Sequence, residues 1–214
     1  MKLISVNVGQ PRGVPWVGKT VATAIFKEPV EGAVQLRRLN LEGDQQADLQ
    51  VHGGPQKAVY AYPSEHYAFW RRELPGAELP WGAFGENFTT EGLLEDSACI
   101  GDRFRVGTAV VAVTQPRMPC YKLGIKFGRN DIIKRFLASR STGFYFGVVE
   151  EGEVRAGDAV ELLAREENRV SVADIVRLRV AGNPDPELLR RAVGLEALPA
   201  NWREHFLQQL QAAS

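Results

Sequence analysis

The chain has 214 residues, 44% hydrophobic and 24% charged, with 26 basic and 26 acidic side chains and a formal net charge of +0. That is one to two domains' worth of ordinary globular composition, which excludes disorder, collagen and coiled coil as descriptions of the whole. A protein that grips nucleic acid by displacing counterions needs a more basic balance.

Residues 1–164 hold 19 of the 21 glycines and nine of the 12 prolines. These residues gather where strands turn, so the first part reads as β-rich and the rest as helical. Short apolar or alternating runs recur at residues 3–8, 20–26, 33–39 and 59–62. Ser64 then opens a helix, SEHYAFWRREL, with Tyr67, Trp70 and Leu74 on one face and Pro75 after it. Further strands are expected at 102–106, 109–114, 144–149 and 159–163. Gly101–Val113 reads as a hairpin, and residues 152–163, turning at Gly157-Asp158, as a closing strand pair. Between them Asn130 or Asp131 opens a second helix, DIIKRFLAS. The expected architecture is mainly β, a closed β-barrel-like structure over residues 1–164 with a few helices.

The tail, residues 165–214, reads as a small three-helix domain. Ser171 with Asp174 three positions on is a capping-box-like start for VADIVRLRVA. Asp185-Pro186 starts ELLRRAV, and the last helix covers about residues 200–211 with Trp202, Phe206 and Leu210 in line. A unit this small buries little alone, so it is expected to pack on the β part or on a partner.

Two cysteines, Cys99 and Cys120, are too few for a disulfide scaffold and lack zinc-finger spacing. The opening MKLISVNVGQPRGVPW is unlike a signal peptide, and the longest purely apolar stretch, residues 109–113, is far short of the ~18 residues of a membrane span. A soluble, reducing, cytoplasmic setting is expected, with no membrane partner.

Charge is balanced globally but not locally. Residues 65–102 carry a net −6 and residues 103–140 a net +8. Solvated surface is the simpler reading for Arg129, Lys134 and Arg135. A basic cleft for a small anion is the sharper one, and Cys120 lies mid-stretch. Pro116 and Pro119 stiffen the segment TQPRMPCYK after the strand 109–114, so Cys120 ends a strand on a rigid loop. Arg117 and Lys122 flank it, and nearby cations favour a thiolate, which is both nucleophile and soft-metal ligand. A buried small hydrophobe is the commoner fate of a free cysteine, and the prolines and cations bring the two readings level. Cys99, among acids in EDSACIGD, reads as structural.

A second knot is His52-Gly53-Gly54, with Lys57 close by. It suits a backbone that approaches a ligand, or a plain turn with a satisfied histidine. Asn87, in the polar loop GENFTTEG, orients a ligand or occupies a turn. Three histidines without metal-ligand spacing make zinc a poor fit. No Walker loop, no GxGxxG after a strand and no GxSxG is present.

Taken together, LEGDQQADLQVHGGPQKAVYAYP, FGENFTTEGL, GDRFRVG and TQPRMPCYKL resemble the MOSC family, named for the C-terminal domain of molybdenum cofactor sulfurases, and most of all its YiiM-like branch, whose members often carry a small three-helix domain. The resemblance implies a barrel-like β fold that binds molybdenum cofactor, a molybdopterin with its metal on a dithiolene. It implies a two-electron reduction of N-hydroxylated compounds of the hydroxylamino-purine or amidoxime type. Cys120 is carried over as the thiolate ligand to molybdenum. His52, Gly53, Gly54, Lys57, Asn87, Arg117, Lys122, Arg140 and Thr142 fall in the family's motif blocks and are the candidates for holding the cofactor. The chain has no iron–sulfur cysteine cluster and no dinucleotide fingerprint, so a separate flavin or iron–sulfur reductase is the expected electron donor. A non-redox carrier of sulfur or cofactor, working through a Cys120 persulfide, is the alternative. A nucleic-acid-binding barrel is disfavoured, because the basic stretch lacks interleaved aromatics.

Overall fold

The computed structural model describes residues 1–48 and 52–212. Leu49, Gln50 and Val51, which lie within the LEGDQQADLQVHGGP motif, fall outside the described residues, as do Ala213 and Ser214. In chain order come β1 (Lys2–Val8), β2 (Arg12–Trp16), β3 (Lys19–Thr23), β4 (Glu28–Pro29) and β5 (Val34–Leu36). A 3-10 turn at Pro55–Lys57 leads into β6 (Val59–Pro63), α1 (His66–Glu73), β7 (Phe88–Glu91), β8 (Arg103–Val106) and β9 (Ala109–Pro116). Then follow α2 (Tyr121–Phe127), α3 (Ile132–Ser139), β10 (Phe144–Glu150), β11 (Gly152–Val154) and β12 (Val160–Ala164). The tail is α4 (Val172–Val180), α5 (Pro186–Val193) and α6 (Ala200–Ala212).

Eight strands form one sheet in the order β12-β8-β9-β10-β6-β7-β1-β4. The ladder runs from β12 to β4, and a closed barrel is not found in it. The nearest approach to closure is an isolated bridge between Lys2 and Ala159, beside which Leu3 N–H donates to Asp158 O at 2.9 Å and Gly157 N–H to Leu3 O at 2.7 Å. The expected hairpin is present as β8–β9, with Arg105 opposite Val110 and Gly107 at φ 58° in the turn. In β8 the alternation is strict: Arg103 and Arg105 face out, Phe104 and Val106 face the core.

The expected strand pair over residues 152–163 does not form. β11 pairs with β5, and β12 pairs with β8. At the start of β11 the backbone of Gly152 passes close to the β8–β9 turn, where a Cβ would lie 2.6 Å from Ala109 N and Thr108. Three elements lie where loops or less regular chain were expected. β2 pairs with β3 through a Val17-Gly18 turn at positive φ, the hairpin turn type that matches strand twist. Pro15 sits within it, as a two-stranded sheet tolerates. β7, in the polar GENFTTEG segment, is a buried strand running parallel to β6 and antiparallel to β1. Its threonines are β-branched and suit a strand despite their hydroxyls. α2 begins directly after Cys120 and ends at Gly128, whose φ of 64° closes the helix.

Two apolar cores flank the sheet. One contains Leu3, Phe88, Phe104, Val111 and Phe146, and it continues into Val172, Ile175, Leu189, Trp202 and Phe206 of the tail. The tail helices therefore pack on the β structure through a shared core, at ~25 cal/mol for each Å² of apolar surface removed from water. α4 has the predicted capping box: Ser171 Oγ accepts from Asp174 N–H and the Asp174 carboxylate from Ser171 N–H, both at 3.0 Å. Asp185 caps α5, with Pro186 in its first turn. The second core is aromatic, with Tyr60, Tyr62, Tyr67, Trp70, Phe84 and Phe136 beneath α1 and α3. β6 serves both: Val59 and Ala61 enter the first core, Tyr60 and Tyr62 the second, as in a strand buried on both faces.

Candidate functional site

Cys120 stands where β9 hands over to α2, as that helix's N-cap residue in extended conformation. The two prolines and the start of α2 define its backbone, and the half-buried side chain faces a cavity. This cavity, of about 100 Å³, is lined by Cys120 together with His52, Gly53, Lys57, Asn87, Arg117 and Lys122. Most of the residues picked from sequence thus come together. Cys120 and Arg117 interact electrostatically, as do Cys120 and the half-buried Tyr145.

Arg117 is 5% exposed. Its guanidinium carbon lies 5.2 Å from the Tyr60 ring centroid and 5.1 Å from that of Phe136. Its Nη1 is buried without a hydrogen-bond partner. A buried guanidinium that keeps a free donor is costly unless something anionic accepts from it. His52 Nδ1 is likewise buried and unpartnered. Desolvation, with Lys122, Lys57 and Arg117 around it, pushes the His52 pKa down to about 4, so the ring is neutral at pH 7.

Lys27 and Asp44 form a buried ion pair at 2.5 Å on the same cavity wall, and burial pushes the Lys27 ammonium pKa down. Asp44 also accepts from Gly9 N–H at 2.8 Å and from Asn87 Nδ2 at 2.9 Å. Asn87, expected either to orient a ligand or to occupy a turn, lines the cavity and is hydrogen-bonded to the scaffold. Its Nδ2 also donates to Asn7 O, and its Oδ1 accepts from Tyr60 N–H at 3.2 Å, so both ends are spent on the scaffold.

Three further candidates do not line the cavity. Gly54, at φ 86°, starts the 3-10 turn that carries Lys57. Arg140 is exposed, at φ 58°, where it ends α3. Thr142 is fully buried; its hydroxyl donates to Gly143 O and its carbonyl accepts from the Tyr60 hydroxyl, both at 2.9 Å. The basic stretch divides accordingly. Arg129 and Arg135 are held on the surface by Asp131 and Glu73, while Arg117 and Lys122 turn inward. Cys99 is structural in setting: burial pushes its thiol pKa up, and Arg165, paired to Asp102 at 3.0 Å, donates to its sulfur at 3.5 Å.

A larger cleft of about 550 Å³ adjoins the cavity, sharing His52, Lys57, Met118, Cys120 and Tyr145 with it. Its other wall comes from the tail: Arg179, Asn201, Trp202 and His205. These four residues carry no sequence signal of a site, and neither do Lys27 and Tyr145. Only topology brings them to Cys120. Asp44 does sit inside the LEGDQQAD block. A volume of this order suits a small organic molecule, and the inner cavity alone does not. Among the described residues no group of three or more His, Cys, Asp or Glu could hold a metal ion, and no helix is long and apolar enough to cross a membrane.

Residues 48–161 match the family model of the MOSC domain, and residues 170–213 match that of the YiiM-like 3-alpha helix domain. The chain belongs to the MOSC family, in its YiiM-like branch. It is 44% identical to the protein YflK of Bacillus subtilis over 97% of this chain and 93% of that one. It is 40% identical to the protein YiiM of Escherichia coli over 84% of this chain and 81% of that one. A protein of Gibberella moniliformis named a reductase is 32% identical over 84% of this chain, which spans 32% of that longer protein. The crystal structure of YiiM from Geobacillus stearothermophilus superposes with a TM-score of 0.81 at 34% identity, covering 98% of each chain. The mainly β, helix-tailed architecture is therefore that of the YiiM-like MOSC proteins.

Proposed function

We propose that this protein is a molybdenum-cofactor-dependent reductase of N-hydroxylated compounds, of the hydroxylamino-purine or amidoxime type, with the Cys120 thiolate as the protein's ligand to molybdenum. The observation that carries the reading is the convergence of one cysteine with a buried, partner-lacking guanidinium donor in a single cavity. A site of one thiol and several cations cannot hold a bare metal ion. It suits a metal that arrives with most of its ligands on an anionic carrier. MOSC membership supports the same choice, and the Gibberella relative, named a reductase, supports a reductive activity.

Arg117 and Lys122 would hold the cofactor's phosphate, and the backbone at Gly53 can approach it closely because its φ of 132° suits glycine. Cys120 would anchor the metal from the strand end. When bound, the molybdenum centre supplies the two electrons that convert R–NHOH, with two protons, to R–NH2 and water. The neutral ring of His52 offers an unpartnered nitrogen for a hydrogen bond to the N–O–H group. Met118 and Tyr145 enclose the substrate side and limit water. The electrons return through a separate flavin or iron–sulfur reductase. Residues 1–164 would then form the cofactor-binding domain and residues 165–214 the appended helical one. Both cysteines are unpaired, in keeping with a reducing cytoplasm.

The test is elemental analysis and turnover of protein made in a host that synthesises molybdopterin, with a hydroxylamino-purine and a chemical electron donor. Cys120→Ser should lose bound molybdenum or turnover, because a hydroxyl is a harder and far weaker acid. Cys99→Ser should change neither, and circular dichroism should show both folded. Equal molybdenum and turnover in Cys120→Ser removes the ligand role, and wild-type protein that holds molybdenum without turnover leaves the carrier reading instead.

A further inference from the structure

The cleft that leads to Cys120 has one wall that the rest of the chemistry leaves without a task. Arg179 on α4 and His205 on α6 line it from the tail. No Asp or Glu is among the described residues that line it. Arg179 Nη1 lies 3.4 Å from His205 Nε2. A guanidinium has donors only, so the imidazole nitrogen is the acceptor and the ring is neutral in this contact. Burial and the Arg179 charge both lower the His205 pKa, in agreement with that assignment.

Arg179 differs in this from its neighbours. Arg177, on the same helix, is taken up by Asp174, and Arg191 is spent on the carbonyls of Asn168 and Arg169. Among the described residues the exposed Arg179 has no carboxylate within ion-pair distance, so its donors at the mouth of the cleft are open to a ligand. The wall that carries it is rigidly placed. Trp202 Nε1–H donates to Gln115 Oε1 on β9 at 3.0 Å, and Phe206 is fully buried in the shared core. α6, which carries His205, therefore keeps a fixed relation to the strand that ends at Cys120, and the exposed Arg179 side chain meets it from α4.

We infer that the cleft selects N-hydroxylated substrates that carry a phosphate ester, and that Arg179, steadied by His205, is the residue that recognises the phosphate. The inference rests on the reductase reading and names the substrate class of that same site. A planar guanidinium presents paired N–H donors that match two phosphate oxygens, and none of the described residues that line the cleft is a carboxylate. The inner cations, Arg117 and Lys122, are then left to the cofactor, and the outer one to the substrate.

The experiment uses the full chain and two readouts. The first is calorimetric binding of adenosine 5′-monophosphate and of adenosine, probes that cannot be reduced. The phosphate should tighten binding at least tenfold in the wild type. Arg179→Gln should cut that ratio about tenfold, whereas Arg177→Gln should leave it unchanged. The second is the ratio of kcat/KM for a hydroxylamino-purine ribonucleoside 5′-monophosphate over its unphosphorylated nucleoside, which should move in parallel. A wild-type binding ratio near one, or a ratio that survives Arg179→Gln, overturns the inference. A phosphate preference that depends on Arg179, in a molybdenum-loaded protein that reduces neither substrate, upholds the anion recognition and defeats the reductase reading.

Discussion

Arg117→Met separates the cost of the buried charge from its use. Methionine keeps an unbranched apolar side chain of comparable length and removes the guanidinium. The wild-type charge is 5% exposed, faces two aromatic rings at 5.2 and 5.1 Å, and leaves Nη1 without a partner. Each ring face returns about 0.5–2 kcal/mol, against an effective desolvation cost of several kcal/mol. Replacing such a group by an apolar residue of similar volume is neutral or stabilising by about 1–4 kcal/mol. The unliganded variant should therefore melt at the wild-type temperature or above it. The wild type, by contrast, should gain from an anion that accepts from Nη1. Inorganic phosphate at a hundred times its dissociation constant stabilises the native state by ~2.7 kcal/mol. At ~2–4 °C per kcal/mol for a chain of this size, that raises Tm by about 5–11 °C. In Arg117→Met the phosphate-induced rise should fall below about 2 °C. The assay is differential scanning calorimetry across a phosphate titration, with sodium chloride at matched ionic strength as control. A variant that melts several degrees lower when unliganded and still responds fully to phosphate would make Arg117 a packing residue and refute the reasoning.

Asp44→Asn should be strongly destabilising, by about 3–5 kcal/mol in denaturant unfolding, because it strands the buried Lys27 ammonium. A loss under ~1 kcal/mol would mean that Lys27 is neutral in the folded protein. His52 links stability to pH. Its folded pKa of about 4 lies below the ordinary 6.5, so between those values the unfolded state binds more protons. The His52 contribution to stability is present above pH 6.5 and is lost as pH falls towards 4. His52→Gln should flatten the stability curve in that window relative to the wild type, measured by urea unfolding from pH 7 to pH 4. Parallel curves would place the ring in water.

Local signals survive translation from sequence to fold, and distant ones do not. The capping box at Ser171, the Asp185-Pro186 start and the β8–β9 hairpin are legible because three or four neighbouring residues decide each of them. α2 is hidden because Gly124 interrupts its pattern, and β7 because hydroxyls on Thr89 and Thr90 read as a polar loop when they are in fact buried in the sheet. The partner of β11 depends on a strand more than a hundred positions away, which no local pattern encodes. The site divides along the same line. Arg117, Cys120 and Lys122 lie in one short segment and can be read together. Lys27, Tyr145, Arg179 and His205 reach the cavity and the cleft through sheet order and helix packing, and the contact that fixes the tail joins residues 87 positions apart.

Asn87 and Thr142 serve the scaffold of the cavity. Both converge on Tyr60. The Asn87 amide oxygen accepts from Tyr60 N–H, and the Thr142 carbonyl accepts from its hydroxyl. Tyr60 in turn carries the guanidinium of Arg117 over its ring, while Arg117 N–H donates to Gly143 O at 3.2 Å. Gly143 can sit there only as glycine: at φ 61°, an added Cβ would lie 2.4 Å from Ala61 O on the strand that bears Tyr60. From the other side, Asn87 extends the chain of contacts to Asp44 and so to Lys27. Arg117 and Lys27 are thus joined by one polar scaffold through β6. In the cavity Arg117 Nη1 and His52 Nδ1 stay unspent, and at the cleft Arg179 stands without a carboxylate partner among the described residues. Two buried polar atoms without a partner, Arg117 Nη1 and His52 Nδ1, thus share one cavity with Cys120, and a site of this kind has its binding chemistry concentrated there.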